Sequence, residues 1–330
     1  MRKVIVALVL AIFIATSIAV VGVEFLGVGN ETPEEQLPVD IWSLNQYKAN
    51  THTHTTRSDG DFTPQQQVYH YQEMGYDILA ISDHYLGFNT FEEIGITDYN
   101  LTPIASNEAE AMFAAHINLF YCYLQYAFDF PENILQEVER QGGIAVVNHP
   151  GRYDNIATIK DFRVSWYEQF PCLVALEIVN RNDRYDTDRQ HWDDLLTHFM
   201  PERIIYGMAA DDAHDDNDMG WSYTMFLAPD KSEESIEHAF RNGHYYPVTK
   251  ALVENPQGEA PRITRITEND DGTISIEGTN YHTVTWISCG EIVGYGETFD
   301  TIGLEKYVRF ELEGEGGTAF SQPIAITPKV

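Results

Sequence analysis

Between Gln46 and about Lys250, short apolar runs alternate with stretches of helical character. The runs Tyr47–His54, Ile78–His84, Ile104–Glu108, Ile117–Tyr121, Ile144–His149, Leu173–Val179 and Ile204–Ala210 are almost continuously apolar. That is the pattern of strands buried on both faces. Helical stretches lie between them. One opens at Thr63-Pro64, a capping residue followed by proline where a missing N–H costs nothing. Others run Pro131–Gln141, closed by Gly142-Gly143, then Thr187–Phe199 and Ser232–Asn242. Strand–helix alternation predicts a parallel sheet covered by helices, and about seven such units suit a barrel better than an open sheet.

From about Ala260 the rhythm changes. The runs ITRI, TISIEG, HTVTWISCG, KYVRFELEG and PIAIT alternate apolar and polar positions, separated by Gly and Asn-Asp turns. They predict antiparallel β structure. The expected fold class is therefore α/β, a barrel over 46–250, followed by a small all-β, sandwich-like domain over 251–330.

The N-terminus is patterned differently. Arg2 and Lys3 precede an uncharged run from Val4 to Val23, closed by Glu24. Twenty residues at helical rise span about 30 Å, the thickness of a bilayer core, and the run is long for a cleavable h-region. Residues 1–23 are read as a signal peptide or signal anchor and 24–45 as a linker rich in Gly, Pro and acids. Positive charge before the span places everything after it outside the cytoplasm. The expected location is extracytoplasmic, membrane-anchored through residues 4–23 or secreted.

Composition narrows the partners. The 330 residues carry 51 Asp+Glu against 20 Lys+Arg, a formal charge of −31. Binding a nucleic-acid duplex through its phosphates needs a basic footprint, so none is expected. Anionic lipid is excluded as a docking surface on the same ground. The three cysteines, Cys122, Cys172 and Cys289, are too few and too scattered for a disulfide framework or a thiolate zinc site. Any metal must be held by nitrogen and oxygen.

Candidate ligands of that kind gather at the strand ends. The first strand runs into HTHTTRSDG, where His52 and His54 share a face at i, i+2 and Asp59 follows in a Ser-Asp-Gly turn. The second delivers His84 in ISDH, the third Glu108 in SNEAE, the fourth opens with His116, and the fifth ends in NHPGR with His149. The last ends in DDAH, with Asp212 and His214 again at i, i+2. A single strand histidine is more often a hydrogen-bonded core or rim residue than a ligand, which is how His70, His191, His198, His238, His244 and His282 are read. Asp83 and Asp211 fall out of phase with the ligands and are read as supporting groups. Glu177 in LEIV is read as a structural strand-end group. Nine coincident candidates at the ends of strands are another matter, because such a cluster without metal is costly to desolvate.

The ordered set HTHTTRSDG, ISDH, a glutamate before HINLF, NHP and DDAH resembles the polymerase-and-histidinol-phosphatase (PHP) superfamily over residues 48–250. The resemblance implies a distorted (β/α)7 barrel, two or three divalent ions (Zn, Mn or Fe) and hydrolysis of phosphoesters. It implies that His52, His54, Glu108 and Asp212 hold a first ion. Glu108 would bridge to a second ion held by His116 and His149, and Asp59, His84 and His214 would hold a third. Glu108 is preferred over Glu110, on the same strand face, because it stands nearer the apolar strand end. The stretch WISCGEIVGYGETF resembles the immunoglobulin-like β modules appended to some PHP proteins.

Charge then suggests a mechanism. Three divalent ions against three carboxylates leave a local positive excess inside an acidic protein, which draws a small phosphorylated substrate to one place. A water ionised between two ions would attack phosphorus in line, with the third ion stabilising the leaving oxygen. Arg57 and Arg152 flank the ligand motifs and suit phosphate oxygens; Arg181 and Arg184 are weaker candidates of the same type. The sequence has no P-loop, dinucleotide fingerprint or nucleophile elbow. The expected function is an exported metal-dependent phosphoesterase cleaving a phosphomonoester or phosphodiester. The alternative is a non-catalytic surface or binding protein that retains the metal-bearing scaffold.

Overall fold

A strand that ends at Asn50 hands the chain directly to His52 and His54, and the rest of the sheet is arranged around that exit. The computed structural model describes residues 40–84, 90–112, 115–124, 128–156 and 159–326, with backbone alone at 159, 160 and 162. The apolar run from Val4 to Val23 and most of the 24–45 linker lie outside the described residues. Among the described residues no helix is long and apolar enough to cross a membrane.

The strand β1 (Asn45–Asn50) pairs in parallel with β2 (Ile78–Ile81), and β2 with β3 (Thr102–Ala111). β4 (Ala115–Phe120) then returns antiparallel to β3, with Glu108 opposite Asn118 and Glu110 opposite His116. β5 (Ile144–Asn148) is antiparallel to β4, and parallel pairing resumes through β6 (Leu173–Asn180) to β7 (Tyr206–Ala210). On the other flank β1 pairs antiparallel with β8 (Ser222–Ala228), and β8 with β9 (Tyr245–Thr249).

The expected distorted (β/α)7 barrel is met only in part: the α/β architecture holds, but the sheet is mixed in direction and strand-rich. The reason is local. β3 and β4 are joined by residues 112–114 alone, too short for the crossover that parallel neighbours require. The two ends of the run β8 to β7 still meet. The Thr224 hydroxyl of β8 accepts from Ala209 N–H (3.1 Å) and donates to Ala209 O (2.9 Å), side-chain bonds in place of a backbone ladder. One apolar cluster draws Ala49, Ile104, Phe120, Val146, Met208 and Phe226, among others, from strands of the whole run.

Helices cover the outside. In α1 (Pro64–Glu73), Thr63 and Gln66 form a reciprocal capping box around the N1 proline. α2 (Pro131–Gln141) ends on Gly142 at φ 69°, a left-handed cap that only glycine adopts without strain. α3 (Ile159–Gln169) is a helix the periodicity does not announce. α4 (Asp188–Phe199) buries Trp192, Leu195 and Leu196, and α5 (Glu233–Arg241) buries Ile236, Ala239 and Phe240.

The remainder of the chain is sheet: β10 (Arg262–Glu268), β11 (Thr273–Thr279), β12 (Thr283–Ser288), β13 (Glu291–Tyr295), β14 (Thr298–Asp300), β15 (Tyr307–Gly314), β16 (Gly317–Phe320) and β17 (Ile324–Ala325). β10, β11 and β14 form a small three-stranded sheet. β13, β12, β15 and β16 join the larger one, because β16 pairs with β9 through Thr318 opposite Thr249 and Ala319 opposite Val248. Ile263, Ile274 and Ile276 of the small sheet pack with Trp286, Phe310 and Leu312 of the large one.

Candidate metal centre

All nine sequence candidates, His52, His54, Asp59, His84, Glu108, His116, His149, Asp212 and His214, come together where β1, β2, β5 and β7 end. Glu108 is the hub. It is 1% exposed, and its carboxylate lies 3.1 to 3.4 Å from His52 Nε2, His54 Nε2, His84 Nδ1, His116 Nδ1 and His149 Nε2. Asn148, just before His149, donates to Glu108 Oε1 at 2.7 Å. Glu110 stands further out, its side chain 31% exposed, with Oε1 3.7 Å from His84 Nδ1.

The donors fit ions. His52 Nε2 faces His54 Nε2 at 3.1 Å, and both lie 3.2 Å from Asp212 Oδ1. Such spacings are what several ligands about 2.0 Å from a common centre require. A second set gathers His116 and His149 on Glu108 Oε1, with His84 on Oε2. In a third, Asp59 lies 3.4 Å from His54 Nδ1, 3.7 Å from His84 Nε2 and 3.2 Å from His214 Nε2. Every donor is nitrogen or oxygen, a set open to several divalent ions.

Local structure explains the convergence. His52 and His54 lie past the end of β1, but Thr53 still bridges to Ala213 and His54 N–H donates to Ala213 O at 2.9 Å, so the pleat continues. Asp212 and His214 converge for a different reason than a shared strand face: Asp212 sits at φ 47° beyond β7, in a turn that carries His214 Nδ1 to within 2.8 Å of Asp212 O. His149 at φ 28° and Arg181 at φ 55° share this left-handed backbone, which L-residues adopt at a cost and which clusters at functional sites. Two glycines make the loops possible. A Cβ on Gly60 would lie 2.5 Å from His54 O, and one on Gly151 would lie 2.4 Å from Thr187 Oγ1.

The charge pattern follows from burial against pairing. Burial alone would raise the Glu108 and Asp212 carboxyls, but the surrounding histidines, His52 foremost, hold both well below the usual range. Conversely, burial alone would lower His54, yet hydrogen bonds to Asp212 and Glu108 lift it to about 9. His52 is raised against its burial by Glu108, Asp212 and Glu177. The hydrogen bond from His214 and the charge of His54 hold Asp59 low despite partial burial. Burial lowers His84.

The supporting groups are visible too. Asp83 accepts from Thr55 N–H (2.6 Å), Thr55 Oγ1 (2.7 Å) and Ser58 Oγ (2.8 Å), fixing the turn that carries Asp59. Asp211 accepts from the N–H groups of Gly220, Trp221 and Ser222 and from the Tyr71 hydroxyl. Glu177 lies 3.1 Å from His52 Nδ1, while its other oxygen accepts from His149 N–H and Asn180 Nδ2, both at 2.9 Å. That orienting role exceeds the structural one expected of it.

Above the donors opens a cavity of about 330 Å³ lined also by Arg152, Arg181 and Arg184. Arg181 donates to Asp212 O and pairs with Asp218 at 2.9 Å, so it braces the ligand loop. Arg57, half-buried in the Thr55–Gly60 turn, is not among the lining residues. None of His70, His191, His198, His238, His244 and His282 joins the cluster. His191 instead meets Asp154, and His198 meets Glu168 at 3.3 Å.

No protein-family model matches the chain, and no curated protein does. Among solved structures, the chain is similar to a two-domain protein of Bacteroides vulgatus named for a predicted PHP-like metal-dependent phosphoesterase, at 16% identity and a TM-score of 0.49, covering 86% of this chain and 96% of that one. A protein of Bifidobacterium adolescentis, named as a metal-dependent phosphoesterase, matches at 13% identity and 0.38, over 58% and 95%. A lesion-specific endonuclease of Pyrococcus furiosus matches at 11% and 0.40, over 76% and 64%. The chemistry of the site must therefore be read from its own residues.

Proposed function

We propose that the chain is a metal-dependent phosphoesterase of the PHP type, acting on a small phosphorylated substrate outside the cytoplasm. The observation that carries the reading is the convergence of nine nitrogen and oxygen donors around buried Glu108, beneath a cavity edged by arginines. In this reading His52, His54 and Asp212 hold one ion with Glu108. His116 and His149 share Glu108 for a second, and Asp59, His84 and His214 take a third. Bound divalent ions would supply Lewis acidity and lower the pKa of water toward neutrality.

The chain's own groups do the rest. Glu108 offers its two oxygens to different histidine sets, which an uncharged amide could not do while offsetting two cations. Arg152 and Arg184, exposed at the cavity rim, present forked donors to phosphate oxygens. Arg181 holds the Asp212 loop in place. The excess of 51 acids over 20 Lys+Arg supports a small substrate over a duplex, because a duplex needs a broad basic footprint. Export is supported by Arg2-Lys3 and the uncharged run that follows, and cell fractionation tests it: active protein in the cytosol would refute export.

The deciding experiment compares wild type, Glu108→Gln and Glu110→Gln after loading with Mn or Zn, reading metal content and hydrolysis of phosphomonoesters and phosphodiesters. Glu108→Gln is expected to abolish hydrolysis and lower metal content, while Glu110→Gln leaves both largely intact. Wild-type protein that keeps its metals yet hydrolyses none of a broad phosphoester panel would point to the binding-scaffold reading instead.

A further inference from the structure

Cations are scarce in this chain, and six arginines, Arg140, Arg181, Arg189, Arg241, Arg265 and Arg309, are tied to carboxylates. Others, such as Arg203 and Lys231, donate to backbone carbonyls. Lys48, whose ammonium also reaches Met74 O at 3.5 Å, stands with Lys250 and Arg262 in a different position. Among the described residues none of the three makes an ion pair, and all three line one cavity of about 480 Å³, where β1 and the end of α1 meet residues 258–262. This cavity shares no lining residue with the metal centre. Lys48 lies within β1, four residues before His52.

Two of the three cations, Lys48 and Arg262, are held in place. The Lys48 ammonium sits 3.8 Å from the Tyr76 ring centroid and 4.8 Å from that of Tyr223. Arg262 Nε donates to Gln46 Oε1 at 2.7 Å, an oxygen that also accepts from the Tyr246 hydroxyl, which fixes the guanidinium at the cavity edge. Two carboxylates border the space, and each has its own contact. Asp77 Oδ2 accepts from the Lys48 N–H at 3.0 Å, and Glu259 accepts from Asn280 Nδ2 at 3.4 Å. Burial, then the charge of Lys250, pushes the Lys48 amine down to about 8. Three cations facing two carboxylates leave an excess of like charge, whose cost an anion would offset. Met74, Tyr223 and Met225 supply an apolar wall beside them.

We propose that this cavity binds a small organic anion, a carboxylate or phosphate carried on a partly apolar body, at a site separate from the metal centre. The oxyanion lies between Lys48, Lys250 and Arg262, and the apolar part lies against the methionines and Tyr223. Cavities that combine a few convergent charges with apolar walls, set between two parts of a fold, are the usual ligand sites.

Lysine acetylation by acetic anhydride, read residue by residue by peptide mass spectrometry on the intact, metal-loaded chain, tests the proposal. Citrate and inorganic phosphate are compared with NaCl at equal ionic strength, since salt alone screens so acidic a protein. At least one of the two anions is expected to slow acetylation of Lys48 and Lys250 about fivefold relative to Lys231, the protection of a site filled to roughly four-fifths. Arg262→Met should remove that protection. Protection by citrate alone assigns a polycarboxylate ligand and protection by phosphate alone a phosphorylated one; both uphold the site. Failure of both anions to protect beyond NaCl in wild type, or equal protection in Arg262→Met, overturns it.

Discussion

Glu177 Oε1 lies 3.1 Å from His52 Nδ1, on the far side of the ring from the nitrogen that faces His54 and Asp212. A carboxylate in that position fixes the tautomer and plane of a ligand imidazole and makes it a better donor. Its second oxygen also holds the His149 N–H, so one side chain orients two of the candidate ligands. Glu177→Ala is expected to lower metal affinity about 10- to 100-fold with the fold retained. Competition against a chelator of known affinity measures this, with circular dichroism as the control. Unchanged affinity would mean that the imidazoles hold their orientation without it.

A buried pair far from the centre makes a stability prediction. Arg309 on β15 donates from Nε and Nη2 to the two oxygens of Asp193 on α4, at 2.9 and 2.7 Å, and the Tyr307 hydroxyl adds a third bond at 2.8 Å. Arg309 is 2% exposed, and without Asp193 its buried charge is left to half-buried Glu311 alone, at 2.7 Å from Nη1. Asp193→Ala should cost about 3–5 kcal/mol in urea unfolding, and the double variant Asp193→Leu, Arg309→Met should recover much of it. Equal losses in both would show that packing, not the stranded charge, sets the cost.

Lys48 predicts a pH dependence of stability. Its folded-state value of about 8 lies below the ordinary 10.5 because of burial and then Lys250. Between those values the unfolded chain binds a proton that the folded chain does not, so this group's contribution to stability rises with pH through that window. Relative to Lys48→Met, wild type should gain about 2 kcal/mol between pH 7.5 and 9.5. A difference that stays flat over this range would place the amine near its ordinary value.

The formal charge of −31 predicts a response to salt. Raising NaCl from 0.1 to 1 M shortens the screening length from about 10 to 3 Å, which weakens repulsion among surface carboxylates. The melting temperature of the metal-loaded protein should rise steadily over that range. A falling or flat curve would mean that local pairs, such as Arg140 with Glu137 and Arg241 with Glu237, already offset the repulsion.

Much of this was legible before any coordinates. The i, i+2 spacing of His52 and His54 placed two imidazoles on one side because extended backbone alternates, and that holds even past the end of β1. The antiparallel β8 and β9 were not legible. Pro247 interrupts the second of them, and proline within an apolar run argues against a paired strand. Asp212 and His214 were joined for the wrong reason, since a turn at φ 47° leaves no mark in residue spacing. Glu177 did leave one: a lone acid in the apolar LEIV run needs a buried partner. Which partner depends on β6 lying beside β5 and across from β1, and that is a property of topology. Arg57 shows the same limit: it flanks a ligand motif as Arg152 does, yet only Arg152 of the two lines the cavity.

The pairing of β9 with β16 has a consequence for how the chain survives in solution. β9 is hydrogen-bonded to β8 on one side and to β16 on the other, with Val248 and Thr249 at the second seam. A chain cut after Lys250 would present β9 as a bare, largely apolar border of unmatched N–H and C=O groups, the template on which other copies stack. On this view the last eighty residues act as insulation: they occupy a border that would otherwise recruit its own kind, and shortening the chain there should yield aggregates before it yields a smaller folded protein.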